Sequence, residues 1–368
     1  MDATEDAASR RPAPHRDMAA HFEWSSARVR EVLGDEEAWI VGGAVRDELL
    51  GRPLLDLDIA CRHPREAAVR YARRFGGAAF PLSERHGAWR VAAPDAHQTV
   101  DFTPLPDTIE ADLASRDFTF NAIAIRVGSR EFCDPYEGRA DLAAGSIRAV
   151  SESVFRDDPL RLLRAVRLED ELGFRMDART EELLHTSTAL VTRPAGERIL
   201  GELRRLSAAG YRRLDEVGLL EPLGGRLDGP VDVLDDPDFR LVAVFGERLA
   251  TLPISKDLRR YAATLLRVRT PDDSSSRAIH RFRRDTEPWS LDALAFVGAP
   301  ELAGLVEAAR RAEPGEPLVR GDELGIPPGP EIGRILAAID EERAAGTIST
   351  REEALDLART LAGAKAPS

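Results

Sequence analysis

Lysine is almost absent from this chain of 368 residues: only Lys256 and Lys365 occur, so nearly all the positive charge is arginine. Cysteine is as scarce, with Cys61 and Cys133 far apart and without histidines at metal-ligand spacing. That excludes a disulfide framework, fits a reducing compartment and gives the two thiols no assigned chemistry. No apolar run approaches the roughly 18 residues that span a bilayer, so no membrane association is expected. The opening "MDATEDAASRRPAPHRD" lacks the apolar core of a signal peptide, and a cytoplasmic protein is expected. His63, His86, His97 and His280 stand singly and read as surface or packing residues. There is no fixed-period repeat of the kind that builds a solenoid.

What is present describes a soluble globular chain, 43% hydrophobic and 31% charged, and long enough for two or more packed units. A net charge of −13 argues at first sight against a nucleic-acid partner. Phosphate binding, however, draws on local rather than net charge, and arginines crowd into segments such as "DLRRYAATLLRVR" and "SSSRAIHRFRRD" between residues 257 and 285. Any one such run reads by itself as a solvated helix face.

The periodicity changes along the chain. Residues 1–18 are polar, rich in proline and arginine, and read as a mobile tail, followed by a helix in "DMAAHFEWSSARVREVLG". Short strands are predicted in "AWIVGG", "LLDLDIAC", "GAWRVAAP", "QTVDFTPL", "FNAIAIRV" and "REFCD", with helices at 44–50 and 64–75. After about residue 151 strand signals cease and amphipathic helices ended by Gly or Pro take over.

The stretch "WIVGGAVRDELLGRPLLDLDIA" (39–60) carries the chemistry. Strand side chains alternate faces, so Asp56 and Asp58 point the same way while Leu55, Leu57 and Ile59 enter the core. Two carboxylates so placed suit Mg²⁺, a hard cation that takes oxygen ligands, and Asp101 in "TVDFTPL" offers a third on a neighbouring strand. Two such ions can activate an attacking oxygen and stabilise a leaving one, which is phosphoryl-transfer chemistry. Gly42 and Gly43 close a strand and open a helix, where bare backbone N–H groups can approach a triphosphate. Arg46 in the first turn can contact phosphate, and Asp47 reads as support for that turn.

Taken together, "VGGAVRDELLGRPLLDLDIA" resembles the first motif of the class II tRNA nucleotidyltransferases and bacterial poly(A) polymerases, in the polymerase beta-like nucleotidyltransferase superfamily. "SRDFTFNAIAI" (115–125) is similar to their second motif, which implies ribose and triphosphate contacts for Arg116, Asp117 and Asn121. "DPYEGRADL" (134–142) resembles the element linking head to neck, "RDDPLRLLRAVRL" (156–168) the base-selecting neck motif, "GERILGELRRL" the next neck helix, and "LVRGDELGIPPGPEIGRILAAIDEERAAGTISTREEALDLA" the tail of tRNA-specific members. The resemblance implies an α+β nucleotidyltransferase head, a mixed sheet with flanking helices, over 19–150. It implies an all-α neck at 151–210, body at 211–300 and tRNA-binding tail at 301–368. It also implies CTP and ATP as substrates, two Mg²⁺ ions, and contacts to the acceptor stem and elbow of tRNA.

Asp158 and Arg161, three apart at a helix start, can present an acceptor and a donor fork to one space. Cytosine and adenine both show an exocyclic NH₂ beside a ring-nitrogen acceptor, which this pair fits, whereas uracil and guanine show the reverse. By itself Asp158 before Pro159 reads as an N-cap, with Asp157 and Arg161 as an i,i+4 pair. The surrounding motifs turn the preference toward base selection, with Arg164 among the nucleotide contacts. Three departures from the family pattern stand out: Asp157 replaces a usual Glu, Ser115 stands where Arg often precedes the Arg-Asp pair, and only fourteen residues separate Asp101 from Arg116. In the family the missing loop accompanies enzymes that add C twice, so CC, A or full CCA addition stays open. No His-Asp dipeptide marks the phosphohydrolase domain that some relatives carry. The rival readings are a poly(A) polymerase acting on RNA 3′ ends and a non-catalytic RNA-binding relic. The tail helices disfavour the first, since polyadenylating relatives usually carry a more basic C-terminal extension than this acidic chain is expected to have, and the intact Asp56, Asp58 and Asp101 set disfavours the second.

Overall fold

The alternating stretches of the N-terminal third assemble into one mixed sheet. A computed structural model describes residues 26–54, 56–83, 87–92, 99–129, 131–313 and 315–363. The expected tail at 1–18, the first part of the first helix, and Leu55, His86 and His97 lie outside the described residues. Two compact units are present, Met1–Ala195 with Glu216–Leu219, and Gly196–Asp215 with Leu220–Ser368.

In the first unit a helix at 26–33 (α1) leads into β1 (Ala38–Val41), α2 (Gly43–Leu49), β2 (Asp56–Cys61) and α3 (Pro64–Phe75). Then come β3 (Ala78–Ser83), β4 (Ala88–Ala92), β5 (Thr99–Pro104), α4 (Ile109–Ala114), β6 (Ala124–Arg126) and β7 (Phe132–Cys133). The unit continues with α5 (Gly138–Ala144), β8 (Ser146–Ile147), α6 (Val154–Asp157), α7 (Arg161–Leu172), β9 (Arg175–Met176) and α8 (Ala178–Ser187). Seven strands lie in the order β3-β4-β5-β2-β1-β6-β7, with β2 and β5 parallel and the remaining neighbours antiparallel.

One face of this sheet is the core. Leu57, Ile59, Val91, Val100 and Phe102 are buried there, and α3 lays Ala67, Ala68 and Tyr71 against it, the Tyr71 and Phe102 rings 5.9 Å apart. Pro64 starts α3, where its missing N–H costs nothing, and Gly76 stops it at φ 85°.

Four features differ from the sequence expectation. β3 was not expected, because Pro81 interrupts its pattern. Proline removes a ladder donor but is tolerated on an edge strand, and β3 is one. α4 is too short for a periodic signal and is set by its cap, Thr108 Oγ1 accepting from the Ala111 N–H at 3.3 Å. Strands also do not end before residue 151, since β9 pairs in parallel with β8. The expected strand from Phe120 starts later, as Thr119–Asn121 forms a 3₁₀ turn ahead of β6.

The second unit is helical among the described residues: α9 (Gly196–Leu203), α10 (Ala208–Glu216), α11 (Pro237–Phe245), α12 (Lys256–Arg267), α13 (Ser276–Thr286), α14 (Ser290–Phe296), α15 (Ala303–Ala312), α16 (Pro330–Ala344) and α17 (Arg351–Gly363). Val319, Ile335, Ile339, Ala354 and Ala358 join α16 to α17 in a small core. The arginines of 274–285 are more than a solvated face: Arg277 pairs with Glu342, Arg281 with Glu341, and the buried Arg283 with Glu287 and Glu313. Among the described residues no helix is long and apolar enough to cross a membrane.

Leu57, 4% exposed, separates the two aspartates of β2 and faces the core. Leu57→Ala is expected to lower stability by about 2–5 kcal/mol, read as a shifted guanidinium midpoint.

Candidate active site

Parallel pairing of β2 with β5 sets Asp56 beside Thr99 and Asp58 beside Asp101, and antiparallel pairing of β4 with β5 sets Arg90 beside Asp101. Directly paired residues share a face, so Asp58, Asp101 and Arg90 form a row across three strands on the side away from α3. Asp56 lies two residues along on the same side, exposed, while Asp58 is half-buried. The sequence-level placement of these carboxylates is the placement found.

Each carboxylate meets a different partner. Asp101 is buried and gripped by both arms of Arg90, Nε to Oδ1 and Nη2 to Oδ2, each at 2.7 Å. Asp56 Oδ1 accepts from the Thr99 hydroxyl at 2.6 Å. Asp58 faces the glycine turn: a Cβ on Gly42 would lie 3.2 Å from Asp58 Oδ2 and 3.1 Å from Arg116 Nη1. Gly42 also holds φ at 70°, which side chains with a Cβ rarely adopt. The space that a side chain at position 42 would need is therefore taken by a carboxylate and a guanidinium. Burial pushes the Asp58 carboxyl up, Arg116 opposes, Asp101 and Asp56 add to the rise, Arg164 opposes, and the result is about 6 against an ordinary 3.8.

Behind the turn runs a buried polar chain. Arg46 donates from Nε and Nη2 to Asp47, and from Nη1 to Asn121 Oδ1 at 3.0 Å. Asn121 Nδ2 donates to Asp117 Oδ1 at 2.9 Å, which also accepts from the Phe118 N–H at 2.8 Å. Asp117 Oδ2 meets Arg164 Nε at 3.1 Å. Burial pushes the Asp117 carboxyl up, but Arg164, Asn121, the Phe118 N–H and Arg161 outweigh it and leave it below the usual range. Asp47 thus supports Arg46, as its position implied, and Arg46 lies under Gly43, 3.4 Å from where a Cβ would sit. Arg116 is braced by Asp112 of α4, Nε and Nη2 reaching Oδ2 at 3.0 and 2.7 Å.

The proposed base-reading residues lie at the other end of this chain. Asp158 Oδ1 accepts from the Leu160 N–H at 3.1 Å, and Arg161 donates to the carbonyls of Ser115 and Val154 at 2.6 and 3.4 Å. Ser115 occupies the family's arginine position and closes α4, its hydroxyl donating to the Asp112 carbonyl at 2.7 Å. Asp157 accepts from the Ser153 hydroxyl at 2.6 Å. The fourteen residues between Asp101 and Arg116 include α4 and leave no long loop.

Sequence reasoning missed Arg90, Thr99 and Asp112. Asp112 was accessible from its i,i+4 spacing to Arg116. Arg90 was accessible only once the β4–β5 register was known. Among the described residues no three His, Cys, Asp or Glu side chains converge to hold a metal ion; Arg90 and Thr99 engage two of the candidates. The donor set nonetheless fits Mg²⁺: oxygen ligands share one face, and Asp58 carries a charge that burial and two like-charged neighbours oppose.

Fold and site define a nucleotidyl-transferring head followed by a helical region. The Poly A polymerase head domain family matches residues 38–105 and 91–148. An A-adding tRNA nucleotidyltransferase of Deinococcus radiodurans is 32% identical, over 86% of this chain and 94% of its own length. A CC-adding tRNA nucleotidyltransferase of Thermus thermophilus is 33% identical, over 87% and 92%. The solved CCA-adding enzyme of Bacillus stearothermophilus in complex with CTP aligns with a TM-score of 0.73 at 25% identity, over 92% of this chain and 98% of that one. The chain belongs to the tRNA nucleotidyltransferase family built on this head domain, and is a template-independent RNA nucleotidyltransferase.

A carboxyl raised to about 6 contributes stability that is complete below about pH 4 and lost as pH climbs through 6. In metal-free buffer Asp58→Asn escapes that loss. It is expected to unfold later than the parent at pH 8 by on the order of 1–3 kcal/mol, with the difference vanishing near pH 4, in denaturant titrations at both values.

Proposed function

We propose that this enzyme transfers CMP, AMP or both from CTP and ATP to the 3′ end of tRNA. The observation that carries the reading is the placement of Asp58 and Arg116 together beside Gly42, a carboxylate and a guanidinium at a turn that phosphates can approach. Asp56 and Asp58, with Asp101 beside them, would hold two Mg²⁺ ions, which supply charge to activate the attacking 3′-hydroxyl and to neutralise the departing pyrophosphate. Arg116 offsets phosphate charge directly, and Arg46 does so from beneath Gly43. Asn121, fixed by Asp117, positions sugar or phosphate, while Asp158, Arg161 and Arg164 read the base. The helical neck (151–210), body (211–300) and tail (301–368) hold the acceptor stem and elbow by backbone and shape, as RNA duplexes require. The reading places the protein in the cytoplasm.

A narrower reading, addition of two C residues only, is favoured by α4, which fills the connection where a longer loop accompanies A addition in the family. Relatives of nearly equal identity are named A-adding and CC-adding, so overall similarity does not choose. Incubating the enzyme with tRNA lacking CCA, with CTP alone and with both nucleotides, and sequencing the products, is expected to give ends extended by CC and no further. A terminal A overturns the narrower reading, and long A-tracts on tRNA and on unstructured RNA alike overturn the tRNA assignment.

A further inference from the structure

The row that carries the catalytic carboxylates continues past Arg90. Antiparallel pairing of β3 with β4 sets Phe80 directly beside Arg90, so Phe80, Arg90, Asp101 and Asp58 lie in line on one face of four successive strands. At that end of the row Phe80 is 41% exposed. The exposed Phe132, by contrast, is covered by the Arg139 guanidinium at 4.8 Å, whereas Phe80 has no ring or cation contact among the described residues. Burying an aromatic ring is among the larger gains available to a folding chain, so a partly exposed one in line with the carboxylates has apolar surface left to give to a ligand.

We propose that Phe80 is a stacking platform for the last base of the RNA being extended; the inference rests on the functional reading above. Strands lie about 4.8 Å apart, which puts Phe80 about 10 Å from Asp101, a distance bridged by the sugar and base of one nucleotide whose 3′-hydroxyl sits at the carboxylates. Every base has a π-face, so stacking is tolerant of sequence. That tolerance suits an end whose last base changes after each addition, where a hydrogen-bonding subsite would favour one base and reject the next. Addition of a further β-strand to this edge is the competing use of the surface, and Pro81, next to Phe80, works against it by removing a ladder donor.

The test compares Phe80→Ala, Phe80→Leu and Phe80→Tyr with the parent, using tRNA lacking CCA. It reads KM for RNA, KM for CTP, RNA affinity without nucleotide, the unfolding midpoint and the sedimentation coefficient. Ala and Leu are expected to weaken RNA binding and raise its KM by roughly 5- to 100-fold, with KM for CTP and the midpoint unchanged, and Tyr to restore parental values. Parental RNA affinity in the Ala variant overturns the proposal. So does full activity in the Leu variant, which would make the contact merely apolar, or a change in association state with RNA binding intact, which would make the edge a protein contact. A parent that incorporates no nucleotide refutes the functional reading instead, while the affinity measurement still decides the role of Phe80.

Discussion

Three carboxylates on one face of a sheet repel one another, and the first unit is organised around containing that repulsion. Asp58 bears most of it, being half-buried between Asp56 and Asp101 with its charge opposed by burial. Arg90 binds both oxygens of Asp101, which still acts on Asp58, and Thr99 gives Asp56 a hydroxyl. Arg116 lies with Asp58 beside Gly42, opposes the rise of its carboxyl, and is itself fixed by Asp112. These partners hold the acidic face together, at the expense of one carboxyl that ionises reluctantly.

Arginine is suited to this role in a way that lysine is not. A guanidinium offers five donors in a rigid fork and stays charged, so it can bind a carboxylate with two bonds and still face a second group. Arg46 does this between Asp47 and Asn121, and Arg90 uses the fork on Asp101. In the second unit the same chemistry ties α13 to α16 through Arg277 and Arg281. A chain with two lysines and many arginines builds its polar interior from oriented forks rather than from point charges.

Much of this was legible in the sequence. Apolar alternation around Asp56 and Asp58 fixed their common face, and the Gly-Gly before Arg46 announced a turn that a backbone could share with phosphate. What stayed hidden depended on pairing register or on very short elements. Arg90 and Phe80 join the row only because β3, β4 and β5 align as they do, and a one-residue slip would send both into the core. β3 was masked by Pro81, and α4 by having barely more than one turn. The spacing of Asp158 and Arg161 let them be read as facing one space, but it did not reveal their contacts in the fold, with the Leu160 N–H and with the carbonyls of Ser115 and Val154. Local backbone groups compete for such side chains, and spacing alone does not say which partner wins.

The buried carboxylate of Asp117 unites stretches of chain that lie far apart in the sequence: Arg46 and Asp47 on α2, Asn121 in the 3₁₀ turn and Arg164 on α7. Arg46, Asp117 and Asn121 are buried, so the partners they give one another are not readily replaced by water. Replacing Arg46, Asp117 or Asn121 alone would consequently strand a polar group in the interior, a penalty that a matching change at its partner would relieve.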